Sequence, residues 1–172
     1  MMKLTADAVY DKCTDISPQS LKKAGVRLVL TDLDNTLENY KAWSPRSEIK
    51  EWAAEFQKYG LVLFVITNNK RERGRAYLED LGVPYICCAD KPKPTMLLKA
   101  MKQFNAKPEE TVMIGDQVFT DVLAGKRAGI RTLLVRPIDL SNPLRAARYF
   151  IEQPFIARAR RRGSANRDKN SY

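Results

Sequence analysis

Asp32 and Asp34, in the run Asp32-Leu33-Asp34-Asn35-Thr36-Leu37, stand two residues apart directly after the apolar stretch Val26 to Leu30. At the end of a buried strand, both carboxylates reach one cleft once the chain turns. Such a pair can bind a divalent cation and still leave an oxygen free to attack phosphorus. A soluble protein has little structural reason to gather negative charge there, so the pair reads as catalytic rather than as an N-cap and turn. Further polar groups follow later apolar runs or precede helices: Thr67-Asn68, then Lys91 in Lys91-Pro92-Lys93-Pro94, then Gly115-Asp116 with Asp121. Taken alone, Thr67-Asn68 could be a plain turn, and Lys93 competes with Lys91 as the active lysine. Four such groups in order, each with a use in phosphoryl chemistry, are a stronger signal than any one.

The elements that must position them follow from apolar periodicity. Runs at Val26–Thr31, Leu61–Ile66, Thr111–Ile114 and Arg131–Val135 read as strands covered on both faces, with a short strand at 84–88. Between them the spacing predicts helices from Ser44-Pro45 to Gly60, over about 70–80, over about 94–104 and over about 119–128. Residues 4–15 read as a further short helix, and 18–24 as another turn or two. The alternation implies an α/β fold, a Rossmann-like, doubly wound and mostly parallel five-stranded sheet. In such sheets ligands bind beyond the carboxyl ends of the strands, where all four polar groups lie.

The motifs DLDNTL, ITNN, KP and GDQVFTD resemble those of the haloacid dehalogenase-like (HAD) superfamily, over roughly residues 26–136. Within it the chain is similar to the type IIIA group and the bacterial YqeG family, related to phosphatidylglycerophosphate phosphatases. The resemblance implies that Asp32 is the nucleophile, Asp34 the acid and base, and Lys91 the group that neutralises the nucleophile and transition state. It implies Mg²⁺ held by Asp32, the Asp34 main-chain carbonyl and Asp116. Thr67 and Asn68 would bind the phosphoryl oxygens, with Lys93 as a further substrate contact. Asp121 would orient Lys91 or a metal-bound water, and Thr36, on its own chemistry, reads as locking the loop by a hydrogen bond. The segments after Leu37 and between Asn69 and Lys91 are too short for a cap domain, which leaves an open cleft.

Composition narrows the alternatives. With no histidine, a Ser-His-Asp or Cys-His mechanism and a Cys/His zinc site are excluded. Three cysteines make no disulfide framework, and no apolar run is long enough for a membrane span or a signal peptide, so the expected location is cytoplasmic. The formal charge is +10, of which residues 140–172 contribute +6, from eight Lys/Arg and two Asp/Glu. In 140–162 Leu144, Ala147, Ile151 and Phe155 share a helical stripe beside Arg145, Arg148, Arg158 and Arg160 to Arg162, with Pro154 expected to break or kink the helix. Residues 163–172 are polar enough to be disordered. The division is thus a core over 1–139, a basic amphipathic segment and a tail. The basic segment suits an anionic membrane at its inner face, with nucleic acid as the other anionic partner. The expected activity is a phosphatase acting on phosphatidylglycerophosphate. A soluble sugar or nucleotide phosphatase, or a non-catalytic module contacting RNA or a partner, are the alternatives; the oligomeric state is left open.

Overall fold

The computed structural model describes residues 4–169. Its sheet has six parallel strands: β1 (Ala8–Tyr10), β2 (Leu28–Thr31), β3 (Val62–Ile66), β4 (Tyr85–Ile86), β5 (Thr111–Gly115) and β6 (Arg131–Val135). Their spatial order is β1-β6-β5-β2-β3-β4. After β2 the chain builds β3 and β4 on one side, then crosses back to lay β5 and β6 on the other. That reversal makes the crevice between β2 and β5 the topological switch point. Register sets Thr31 against Ile114 on one flank and Val65 on the other, so the residues that follow each strand emerge side by side.

Alternate residues of each strand feed two cores. Val29, Leu63, Val65, Val112 and Ile114 face a cluster closed by α1 (Pro18–Lys23), α2 (Ser47–Lys58) and α3 (Glu72–Leu81), with Trp52, Phe56, Tyr77 and Leu78 at its centre. Leu28, Leu30, Phe64, Ile66 and Met113 face the other, closed by α4 (Thr95–Gln103) and α5 (Leu123–Arg127). The continuous apolar strands follow from this double burial. Gly82 ends α3 in the left-handed conformation, at φ 70°, where it costs no side-chain clash.

The segment expected as a helix over 4–15 is instead strand β1 and a short 3-10 turn at Cys13–Asp15, which raises the sheet from five strands to six. Ala8 and Tyr10 pack towards one core and Val9 towards another. The Asp7 main-chain N–H donates to the Thr132 carbonyl at 2.8 Å and so continues the ladder with β6. Pairing with an existing edge decides the conformation, because three residues carry too little periodicity to distinguish strand from helix.

The last helix, α6 (Pro143–Lys169), also departs from expectation. It passes through Pro154 without ending. Pro154 withholds the N–H that the Phe150 carbonyl would accept, and Phe150 lies exposed, where water can serve instead. The expected stripe does not pack as a unit: Leu144 and Ile151 are 82% and 64% exposed, and Ala147 is exposed too. The face that packs carries Tyr149, Phe155, Ile156 and Ala159 against Ala6, Val118, Val122 and Leu134. Residues 163–169, expected to be disordered, continue the helix, and 170–172 lie outside the described residues. Among the described residues no helix is long and apolar enough to cross a membrane.

Candidate active site

Asp32 follows β2, and its main-chain N–H donates to the Ile114 carbonyl at 2.9 Å, tying it to β5. Asp116 follows β5. Asp121 returns to the same place on a π-helical turn, Val118–Val122, that leads into α5. Such turns occur at functional sites because the extra residue per turn redirects a side chain. Carboxylate oxygens of Asp32, Asp116 and Asp121 all lie within 4.8 Å of one another, and the three residues are buried. Gly115 makes this convergence possible. A Cβ at that position would overlap the Asp121 side chain, so only glycine lets the carboxylate approach β5.

Lys91 is buried among these acids. Its ammonium lies 2.7 Å from Asp32 Oδ1 and 2.7 Å from Asp121 Oδ1. Asn68 fixes the lysine by its main chain, donating from Nδ2 to the Lys91 carbonyl at 3.0 Å and accepting from the Lys91 N–H at 2.9 Å. Thr67 is buried beside them and accepts from the Asn69 N–H at 3.0 Å. The Thr36 hydroxyl donates to Asp116 Oδ1 at 3.2 Å. Lys93 is not brought in: it is exposed and pairs with Asp90 at 2.7 Å, outside the cleft. Of the two lysines weighed from the sequence, Lys91 is the one that lines the cleft.

The Asp34 side chain does not join the acidic cluster. Its Oδ1 pairs with the Arg73 guanidinium and its Oδ2 accepts from Asn69 Nδ2 at 2.7 Å. Arg73, in the first turn of α3, also donates to the Ala42 carbonyl at 2.7 Å. The sequence singled out neither Asn69 nor Arg73. Asn69 ends the ITNN motif and could have been found by asking what holds Asp34; Arg73 looks like any basic residue of a solvated helix.

One ammonium cannot satisfy three buried carboxylates. Burial lowers the proton affinity of Lys91, but the charges of Asp121 and Asp32 outweigh it and keep the lysine protonated. Burial pushes Asp121 up to about 6 despite its bond to Lys91, and burial with the Asp121 and Asp32 charges pushes Asp116 well above the carboxylate range. Excess negative charge packed around buried oxygens suits a hard divalent cation, so these residues fit the metal that the motifs imply. The folded, cation-free protein keeps protons that the unfolded chain releases near pH 4. Its stability therefore falls as pH rises from there through about 6. A bound cation replaces those protons. Saturating Mg²⁺ should accordingly raise the Tm more at about pH 8 than at about pH 5, with a gain of roughly 2.7 kcal/mol at a hundred times Kd. Equal shifts at both pH values would show that Asp116 and Asp121 hold no proton for the cation to displace.

The cleft above the acids holds a volume of about 610 Å³ and is lined by Asp32, Asp34, Thr67, Asn68 and Lys91. Its outer wall includes Tyr40, Arg145 and Arg148, of which the two arginines belong to the segment that the sequence set apart from the core. The loops after β2 and β3 insert no cap, and α6 borders the opening together with Tyr40, Lys70 and Arg71.

Residues 12–129 match the haloacid dehalogenase-like hydrolases. The chain is 37% identical over 127 residues to a Bacillus subtilis protein described as "Probable phosphatase YqeG", covering 74% of each. It is 28% identical over 154 residues to the Arabidopsis thaliana phosphatidylglycerophosphate phosphatase 1, covering 83% of this chain but 40% of the plant protein. The fold resembles the cobalt-bound deoxy-D-mannose-octulosonate 8-phosphate phosphatase YrbI of Haemophilus influenzae. The TM-score is 0.54 at 22% identity, over 66% of this chain and 70% of that one, a likeness of fold alone. The chain belongs to the haloacid dehalogenase-like hydrolases, and it is a phosphatase of that family.

Proposed function

We propose that the protein is a Mg²⁺-dependent phosphomonoesterase that works through an aspartyl-phosphate on Asp32, and that its substrate is phosphatidylglycerophosphate at an anionic membrane surface. The observation that carries the chemistry is the convergence of Asp32, Asp116 and Asp121 around Lys91 at the switch point. Asp32, Asp116 and the Asp34 main-chain carbonyl would hold the cation, whose bound charge offsets repulsion between a phosphate ester and an anionic nucleophile. The Asp32 carboxylate forms a bond to phosphorus as the bond to the ester oxygen breaks. Asp34 gives its proton to that leaving oxygen, then takes one from the water that attacks the acyl phosphate. Phosphate leaves and Asp32 is regenerated. Arg73 and Asn69 set the position of Asp34. Because Asp34 must carry a proton when the ester breaks, the Arg73 contact has to loosen at that step. The Thr67 hydroxyl and the Asn68 main-chain N–H donate to the phosphoryl oxygens, and Lys91 balances charge on Asp32.

The choice of lipid rests on the capless cleft, on the relation to the plant enzyme and on the outer face of α6. That face leaves Leu144, Phe150 and Ile151 exposed, with Arg158 and Arg160 to Arg162 further along the helix. Apolar side chains there can enter a bilayer while each arginine near the surface adds about 1 kcal/mol. The test is turnover of phosphatidylglycerophosphate in anionic vesicles. We expect it to exceed that of soluble aryl phosphates, and to drop about tenfold when Phe150→Ser and Ile151→Ser are combined. Turnover no better than that of aryl phosphates would remove the lipid from the proposal.

A further inference from the structure

The mouth of the cleft carries more positive charge than one phosphate needs. Six cations line the cavity: Lys70, Arg71, Arg73, Lys91, Arg145 and Arg148. Arg73 is paired with Asp34, and Lys91 with Asp32 and Asp121. Among the described residues, none of the other four has a carboxylate within ion-pair distance. Like charges gathered at one opening repel each other unless an anion joins them.

Two of the four are held in place. The Arg145 guanidinium stacks over the Tyr40 ring at 3.9 Å from its centroid, and its Nη1 is buried without a hydrogen-bond partner. An unpartnered buried donor on a charged group is costly. Arg148, one turn along α6, donates from Nη1 to Gln117 Oε1, beside Asp116. That contact leaves its other donors open to the cleft. Lys70 and Arg71 sit on the loop before α3.

We infer that Arg145 and Arg148, with Lys70 and Arg71, form a second anion subsite, so that the enzyme selects phosphomonoesters whose leaving group carries another anionic group such as a phosphodiester. The inference rests on the phosphatase reading and not on any particular lipid. It gives α6 the selective task that an inserted cap would otherwise perform. A planar guanidinium fixed by an aromatic ring is pre-organised for two-point contact with a phosphate or carboxylate.

The experiment compares alkyl phosphates with α,ω-alkanediol bisphosphates of matched length, a soluble series in which only the second anion differs. With Mg²⁺ and the full chain, kcat/KM should favour the bisphosphate by about tenfold to a hundredfold at the best length. Arg145→Gln with Arg148→Gln should collapse that ratio, and Lys70→Gln with Arg71→Gln should reduce it from the opposite side. Lys99→Gln with Lys102→Gln, which removes equal charge from exposed positions on α4 outside the cleft, should leave the ratio as in the parent. Equal rates for the two series would overturn the subsite, as would a preference that survives both cleft variants or is lost equally in the α4 variant. Hydrolysis of neither series would overturn the phosphatase reading, and the subsite with it.

Discussion

Asp32→Asn should abolish turnover, with a loss on the order of 10⁴-fold or more in kcat, while the protein stays folded. The amide has nearly the shape of the carboxylate but cannot form the acyl phosphate. It also removes one negative charge from a buried group of three acids, so the remaining repulsion is smaller. Lys91 keeps its contact with Asp121 at 2.7 Å, and the strand ladder around β2 does not involve the Asp32 side chain. Thermal unfolding should therefore shift little or rise slightly. A phosphate-release assay beside a melting curve checks both halves. An Asp32→Asn protein that retains activity would show that the nucleophile lies elsewhere.

Lys91→Met should cost activity and stability together. The methionine nearly fills the lysine's volume, so the effect is of charge rather than of packing. Without the ammonium, Asp32 and Asp121 lose their shared partner inside a buried site. Removing one member of a buried ion pair typically costs about 3–5 kcal/mol, and loss of a preorganised cation lowers kcat by roughly 10²–10³-fold. Added Mg²⁺ should return part of the lost Tm but not the lost kcat, because a cation on the acids restores charge balance without restoring the donor to Asp32. A Lys91→Met protein that melts like the parent and turns over normally would remove the lysine from the site. Lys93→Met is the control, since Lys93 meets only the exposed Asp90 and should change neither quantity.

The central strands were legible because double burial writes itself as unbroken apolar runs, as in Leu28–Thr31 and Val62–Ile66. Once those runs are strands of one parallel sheet, the polar residues after them must share an edge, which is how Asp32 and Asp116 could be set together from sequence. Contacts fixed by the tilt of a helix were not legible. Arg73 reaches Asp34 only because α3 begins close to the β2 loop, and nothing in its neighbours marks it. Helix α6 shows the same limit more plainly. Hydrophobicity favours the stripe Leu144, Ala147, Ile151 and Phe155 as its inner face, yet the groove offered by Ala6, Val118 and Val122 accepts Ile156 and Ala159, and of the stripe Phe155 alone packs beside them. Buried Glu152 on that face accepts from the Phe119 N–H at 3.1 Å, a partner visible only after folding. Arg145 and Arg148 enter the cleft as a consequence of that placement.

The chemistry turns on whether phosphorus is attacked once, by water, or twice, by Asp32 and then by water. The stereochemical course at phosphorus answers this directly, using an isotopically chiral phosphorothioate monoester turned over by the intact protein with Mg²⁺. Two in-line displacements through an aspartyl-phosphate give overall retention, which is the result expected here. Overall inversion would mean a single displacement by water and would contradict the role assigned to Asp32.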